Sequence, residues 1–348
     1  MTHKCKKECL LLFMPCMDLG GAEKQFRLLR NELIKREINI ITVLTSSEYT
    51  SNEDRIYGIK DSNSLILKEI EILKIVLKLQ KRWLIKCAIV YDKYAQFAIP
   101  TLKLLGIKTL FSERNSGKHK SWISRKIISF ANIITTNSEN AKNTMADYIN
   151  KEIYYIPNGI ELDNDEREIR NIEFSLPIKI LVPARIAPVK NQLLAIKALE
   201  NNKDIVVHFA GKIDDENYYK KVNEYIHENR LESRFIYDGF ISDMKSYYKK
   251  FDIILLPSLS EGTSNVILEA FASRMICIAS DIEMNKAIVP RRELLFISNN
   301  IQSLKDRILY IYNLQYKELI DIIDDCYEFV SNMYSVTNMV NRFLELIT

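Results

Sequence analysis

Ser258-Leu259-Ser260-Glu261-Gly262-Thr263-Ser264-Asn265-Val266-Ile267-Leu268-Glu269-Ala270-Phe271-Ala272 follows directly on the apolar run Ile253–Leu256. Four unbroken aliphatic residues read as a strand covered on both faces, the habit of a parallel sheet rather than of a sheet with one wet side. Gly262, Thr263, Ser264 and Asn265 are small, hydrogen-bonding residues of the kind that open a helix, and Val266–Ser273 carries helical apolar spacing. The same strand–loop–helix unit recurs on either side. Strands are expected at Ile178–Val182, Ile205–Phe209, Phe235–Tyr237, Ile276–Ala279 and Leu295–Ile297, with helices at Gln192–Glu200, Glu216–Asn229 and Met244–Lys249. Such alternation marks parallel crossover units.

An equivalent array fills the first half. Strands are read at Cys9–Met14, Ile38–Leu44, Cys87–Tyr91, Lys108–Phe111, Ile133–Thr136 and Ile153–Ile156, and helices at Ala22–Arg36, Ile66–Trp83, Ala95–Leu105 and Glu139–Ile149. After Pro157-Asn158-Gly159 comes a charged, structure-poor stretch, Glu161–Glu173, which is the best linker in the chain. The 348 residues suit two domains of roughly 100–200 residues, here 1–174 and 175–334. From about Gln302 onward the tail is helical. Two doubly wound α/β domains are expected, facing each other across a cleft where the carboxyl ends of both sheets meet a ligand.

The bulk numbers exclude several classes. A net charge of +4, from 49 basic and 45 acidic residues, is too mild for a nucleic-acid protein. Six cysteines without CxxC spacing read as reduced, buried thiols of a cytoplasmic protein. Leu10-Leu11-Leu12-Phe13-Met14 follows a basic start but is short, and Pro15 and Asp18 follow it in place of a cleavage site, so it reads as a buried strand. No stretch approaches the roughly 18 apolar residues of a membrane span; any membrane contact is expected to be peripheral.

Three segments carry candidate chemistry. Asp18-Leu19-Gly20-Gly21-Ala22-Glu23 lies between a strand and a helix, and its paired glycines let backbone approach a phosphate at the helix's positive end. It is not GxGxxG, and no acidic residue ends the next strand in the dinucleotide manner. In Pro183-Ala184-Arg185-Ile186-Ala187-Pro188-Val189-Lys190-Asn191, two cations flank a strand end and a helix entrance, well placed to neutralise a diphosphate leaving group. A pair of solvated surface charges is the plainer reading. In the opening segment, Glu269 sits on a helix of core residues, where a carboxylate needs a partner; a ribose diol would serve. The bland alternative is an N-capped core helix with one exposed Glu.

These segments, in this order, resemble the family 4 retaining glycosyltransferases of GT-B architecture, built from two Rossmann-like domains. The resemblance rests on Gly20-Gly21-Ala22-Glu23, Pro157-Asn158-Gly159-Ile160, the Arg185…Lys190 pair and the Glu261…Glu269 pair, and covers about residues 10 to 290. It implies that Arg185 and Lys190 bind the donor diphosphate and that Glu269 holds the ribose. Glu261 and the amides of Gly262–Asn265 would hold the transferred sugar, Gly20 and Gly21 would close over the phosphates, and Gly239 and Phe240 would border the base. A terminal helix, about 335–348, would cross back to the first domain. The implied reaction moves a hexose or N-acetylhexosamine from a nucleotide sugar, by analogy a UDP sugar, onto a polyprenyl-diphosphate-linked glycan in cell-surface polysaccharide synthesis, without a metal or other cofactor. A sugar-nucleotide epimerase and a non-catalytic GT-B partner subunit are the rival readings.

One departure concerns the acceptor side. Many relatives carry a His after the strand corresponding to Cys87–Tyr91; here the residues are Tyr91-Asp92-Lys93-Tyr94. Asp92, Lys93, Glu113, Arg114 and Asn115 are the acceptor-side candidates, because both segments follow strands. Asp163-Asn164-Asp165 has the spacing of a metal-binding DxD but lies in the linker and reads as solvated acid, as does Asp214-Asp215. Two basic segments bear on an inner-membrane surface: Ile66–Ile85, with its lysines and Trp83, and Lys118–Lys126, with His119, Trp122 and Arg125. The first reads equally as a packing helix with lysines in water.

Overall fold

The computed structural model describes residues 6–17, 21–51, 54–59, 64–115, 117–119, 121–163, 174, 176–262 and 264–348, and at 65 and 93 the backbone alone. Gly20, Thr263 and most of the linker, which the sequence reading singled out, lie outside the described residues. Contacts divide the chain into two compact units, Met1–Gly159 with Val336–Thr348, and Ile160–Ser335. The break lies upstream of residue 174 because Ile160 already belongs to the second unit. Its N–H donates to Tyr334 O at 2.7 Å, it bridges Ser335, and its side chain joins the second core.

In the first unit β1 (Lys7–Met14), β2 (Ile40–Leu44), β3 (Ile56–Gly58), β4 (Trp83–Tyr91), β5 (Lys108–Glu113), β6 (Ile133–Thr136) and β7 (Ile153–Tyr155) form a seven-stranded sheet in the order β3-β2-β1-β4-β5-β6-β7. Every pairing is parallel. One face carries α2 (Leu65–Gln80), α3 (Ala98–Leu104), α4 (Trp122–Ser129) and α5 (Glu139–Ala146), over a core that includes Phe13, Val76, Ile99, Phe111 and Ile128. The other face carries α1 (Gly21–Lys35) and the terminal helix α13 (Val336–Ile347), with Phe26, Leu29, Tyr91 and Phe343 buried between them and the sheet. In the second unit β8 (Ile178–Pro183), β9 (Ile205–Ala210), β10 (Phe235–Gly239), β11 (Ile253–Leu256), β12 (Ile276–Ser280) and β13 (Leu295–Phe296) run parallel in the order β10-β9-β8-β11-β12-β13. Its helices are α6 (Gln192–Leu199), α7 (Glu216–Glu228), α8 (Met244–Tyr248), α9 (Asn265–Ala272), α10 (Glu283–Ile288), α11 (Ile301–Tyr312) and α12 (Tyr316–Tyr334).

Two local readings change. β3 is short and lacks an apolar run, so it escaped notice; only its pairing with Thr42–Leu44 makes it a strand. The helix expected to reach Trp83 stops at Gln80, since Trp83, Leu84 and Ile85 pair with Lys7, Glu8 and Cys9. The Trp83 ring lies 5.0 Å from the Arg55 guanidinium and is not part of a basic helix. The five described cysteines are free, and burial pushes the Cys9 and Cys87 thiols up to about 11.

Candidate functional site

The second sheet winds outward from β8 to β9 and β10, then returns to β11 on the other side of β8. At such a switch point the two flanking crossovers go to opposite faces, leaving an opening beyond the carboxyl ends of the central strands. The loops that border it here follow β8 and β11, and they carry the cations and Glu261. They are tied together: the Leu259 N–H donates to Val189 O at 2.8 Å. Lys190 Nζ donates to both Glu261 oxygens at 2.6 and 2.7 Å, with only 15% and 9% of the two side chains exposed. Shielding from water and bidentate contact make this stronger than a surface pair. Arg185 is more open; its Nη1 donates to Asp214 Oδ2 at 2.5 Å, and Gln192 Nε2 holds its carbonyl at 2.9 Å. The neighbouring Asp215 caps α7 by accepting from the Tyr218 N–H. Neither acid is merely solvated.

Beneath the Glu261 loop runs a buried polar chain that sequence reasoning missed. Ser264 Oγ donates to Asn285 Oδ1 (2.6 Å), Asn285 Nδ2 donates to Ser280 O (2.8 Å), and Ser280 Oγ donates to Ser258 O (2.5 Å). The Ser264 hydroxyl is thus spent on Asn285 and makes no side-chain cap of α9. Both ends of the Ser258–Ser264 loop are thereby fixed to the end of β12. Gly262 stands open, with nothing within 4 Å of where a Cβ would be. Glu269, on α9, accepts from Tyr248 Oη at 3.3 Å. Burial, and then the Glu269 charge, push the Tyr248 hydroxyl well above its ordinary value, so it stays a donor. At the far edge Gly239 has φ +75°, a conformation glycine takes without strain. Phe240 beyond it is exposed, with Lys212 Nζ 5.0 Å from its ring.

In the first unit the sheet reverses between β1 and β4, which places Gly21 and Asp92 at its switch point. Asp92 has φ +73°, in the left-handed region that Asp and Asn enter more readily than other residues with a side chain. Its Oδ2 accepts from Asn115 Nδ2 at 3.0 Å, and the Asn115 N–H donates to Glu113 Oε1 at 2.8 Å. Glu113 ends β5 and Arg114 follows it; Glu113 meets His119 while Arg114 turns to Tyr91 and Phe343 on the other side of the sheet, and both are buried. Glu113 Oε2 lies 2.6 Å from His119 Nε2; His119 Nδ1 lies 3.1 Å from Ser124 Oγ, which donates to Gln96 Oε1 at 2.7 Å. His119, read from sequence as part of a basic surface segment, is in fact buried, because a fully buried carboxylate needs a partner. Arg114 bonds Ser112 Oγ, Ile156 O and Asn158 Oδ1, and its guanidinium sits 4.8 Å from the Tyr91 ring and 5.3 Å from Phe343. Desolvation lowers its pKa. Among these acceptor-side candidates Asn115 is exposed and Asp92, Glu113 and Arg114 are enclosed; the side chain of Lys93 lies outside the description.

Among the described residues no group of three or more His, Cys, Asp or Glu side chains is gathered to hold a metal, and no helix is long and apolar enough to cross a membrane. Asp163 is ion-paired with Lys249 at 3.2 Å, a role that solvated acid would not have; Asn164 and Asp165 lie outside the described residues.

Two parallel α/β units built this way make the GT-B fold of glycosyltransferases. Residues 164–325 match the family model described as Glycosyl transferases group 1, a stretch that lies within the second unit. The solved glycosyltransferase of Rickettsia africae superposes with a TM-score of 0.80 at 20% identity, covering 98% of each chain. HepE of Anabaena, solved in complex with UDP, does so with a TM-score of 0.76 at 16% identity, covering 97% of this chain and 99% of that one. In sequence the chain is 26% identical over 212 residues to the UDP-Gal:alpha-D-GlcNAc-diphosphoundecaprenol alpha-1,3-galactosyltransferase of Escherichia coli, covering 56% of this chain. The match spans about half, 54%, of that relative's length.

Proposed function

We propose that this protein is a retaining, metal-independent glycosyltransferase that moves a hexose or N-acetylhexosamine from a UDP sugar to a glycan on a polyprenyl diphosphate. The observation that carries the reading is the Lys190–Glu261 pair at the second unit's switch point, with Arg185 on the same loop as Lys190 and paired to Asp214. Two cations held at the end of a sheet by carboxylates match what a nucleoside diphosphate brings: a dianion for the cations and sugar hydroxyls for the freed acid. HepE binds UDP, and the Escherichia coli relative uses a UDP sugar and a diphosphoundecaprenol-linked acceptor by name; both support the choice of substrates.

In this reading Arg185 and Lys190 take the diphosphate, Glu261 turns to the transferred sugar, Glu269 holds the ribose diol and Phe240 borders the base. The acceptor hydroxyl attacks the anomeric carbon on the face the donor phosphate leaves. The bond from anomeric carbon to phosphate oxygen breaks as the bond to acceptor oxygen forms, and the acceptor proton passes to the departing phosphate. The charge that grows on that phosphate is what Arg185 and Lys190 stabilise.

The test is thermal stabilisation of the protein against nucleotides and sugar nucleotides with EDTA present, on wild type and Glu269→Ala. A shift with a uridine nucleotide that survives EDTA and fades in the variant is expected. No shift with any nucleotide, in folded protein, would sink the donor site. Tyr248→Phe keeps the ring but removes the donor to Glu269, so nucleotide affinity should fall by about 0.5–1.5 kcal/mol, roughly two- to tenfold. An unchanged dissociation constant would show that Tyr248 does not orient Glu269.

A further inference from the structure

The helices α2, α3 and α4 lie side by side on one face of the first unit's sheet, α2 against α3 and α3 against α4. Each leaves the carboxyl end of one strand and returns to the amino end of the next parallel strand. Their amino-terminal turns therefore line up along a single rim, the carboxyl edge of the sheet, where Asp92 and Asn115 also lie. Large apolar side chains stand exposed at that rim from all three: Ile66, Leu67 and Ile70 of α2, Tyr94 just before α3, and Trp122 and Ile123 of α4, with Trp122 68% and Ile66 71% exposed. A folded surface scatters single apolar residues, but a gathering of them marks an interaction site.

The charge around the rim says what it meets. From Lys118 to Asn137 the sequence holds no acidic residue, and Lys118 and Lys126 are exposed. Lys126 Nζ lies 5.0 Å from the Trp122 ring, a cation and an amphipathic aromatic at one level. On α2, Lys68 and Lys74 stand against Glu69 and Glu71, and Glu71 is taken up by Lys74 at 2.9 Å, so the basic excess of the rim comes from the Lys118–Lys126 side. Aliphatic and aromatic anchors beside lysines fit the boundary between acyl chains and anionic headgroups.

We propose that this rim docks on an anionic lipid surface and so holds the Asp92–Asn115 edge beside acceptors carried in that surface. The purpose rests on the proposed lipid-linked acceptor; the docking is measured independently of it. The intact protein is sedimented with vesicles of phosphatidylcholine alone or of an equimolar mixture with phosphatidylglycerol. Binding is expected to the mixed vesicles, to weaken with salt, and to fall roughly tenfold in Trp122→Glu/Ile123→Glu and in Ile66→Glu/Leu67→Glu. Leu104→Glu is the control. That residue is 81% exposed at the other end of the same layer, and its substitution should leave binding unchanged. Binding that ignores the rim variants, or that Leu104→Glu reduces equally, overturns the proposal. So does sedimentation velocity showing a dimer that the rim variants dissolve, with no vesicle binding. The nucleotide shift separates the two readings. A shift without vesicle binding removes the docking and leaves the donor site; vesicle binding without a shift does the reverse.

Discussion

His119→Ala should lower the stability of the first unit by about 1–3 kcal/mol, the cost of leaving a buried hydrogen-bonding group without its partner. Glu113 is fully buried and has His119 Nε2 at 2.6 Å and the Asn115 N–H at 2.8 Å. With the imidazole gone, one carboxylate oxygen faces a space vacated beside Ser124, and Ser124 loses its contact as well. Both tryptophans, Trp83 and Trp122, belong to the first unit, so urea unfolding followed by tryptophan fluorescence reads that unit alone. Glu113→Gln placed on His119→Ala should recover part of the loss, since an amide costs less to bury unpaired than a carboxylate. A single variant as stable as wild type would mean that the buried pair contributes nothing, and a double variant worse than the single would mean that charge is not the cause.

The second large effect is expected at Phe343. This ring is wholly buried on α13, faces the Arg114 guanidinium and shares it with Tyr91. Phe343→Ala should cost about 3–5 kcal/mol through lost burial and the cavity left behind, with the cation–π contact adding to it. Polar ties around it survive the change: Arg36 to Asn341 Oδ1 at 2.6 Å, and Lys108 Nζ to the carbonyls of Leu346 and Ile347. The tryptophan-reported transition should move to lower urea, while the nucleotide shift that reports the second unit stays. An unmoved transition would show that α13 is not integral to the first unit; loss of the nucleotide shift would show that the two units do not fold separately.

Much of this architecture was legible because buried parallel strands write themselves as apolar runs. Ile133–Thr136 and Ile253–Leu256 were read to the residue, and the crossover helices follow from amphipathic spacing between them. What was not legible is long-range pairing. β3 exists only through its ladder with β2, and Trp83 could not be separated from a helix until β1 paired with it. In the second unit the cations and acids on strand-end loops were visible as types, yet the bond between Lys190 and Glu261 joins loops 71 residues apart. Tyr248 and Asn285 carry no local signal, one among 18 tyrosines and the other an ordinary polar residue on a short helix. His119 misled because a charged neighbourhood in sequence, between Lys118 and Lys120, says nothing about which side chain turns inward.

The turn at Gly159 is clasped from both directions in the chain: Gln25 exchanges two hydrogen bonds with its backbone, and a Cβ there would lie 3.0 Å from Val336 Cα. Val336–Thr348 completes the core over α1, so at ribosomal rates of roughly 5–20 residues per second that core waits on the order of ten to forty seconds after Gly159 emerges. The later-made unit, Ile160–Ser335, has all its own strands and helices first. Order of synthesis and order of completion are thus reversed, and the apolar flank of α1 lacks its cover until the closing helix arrives.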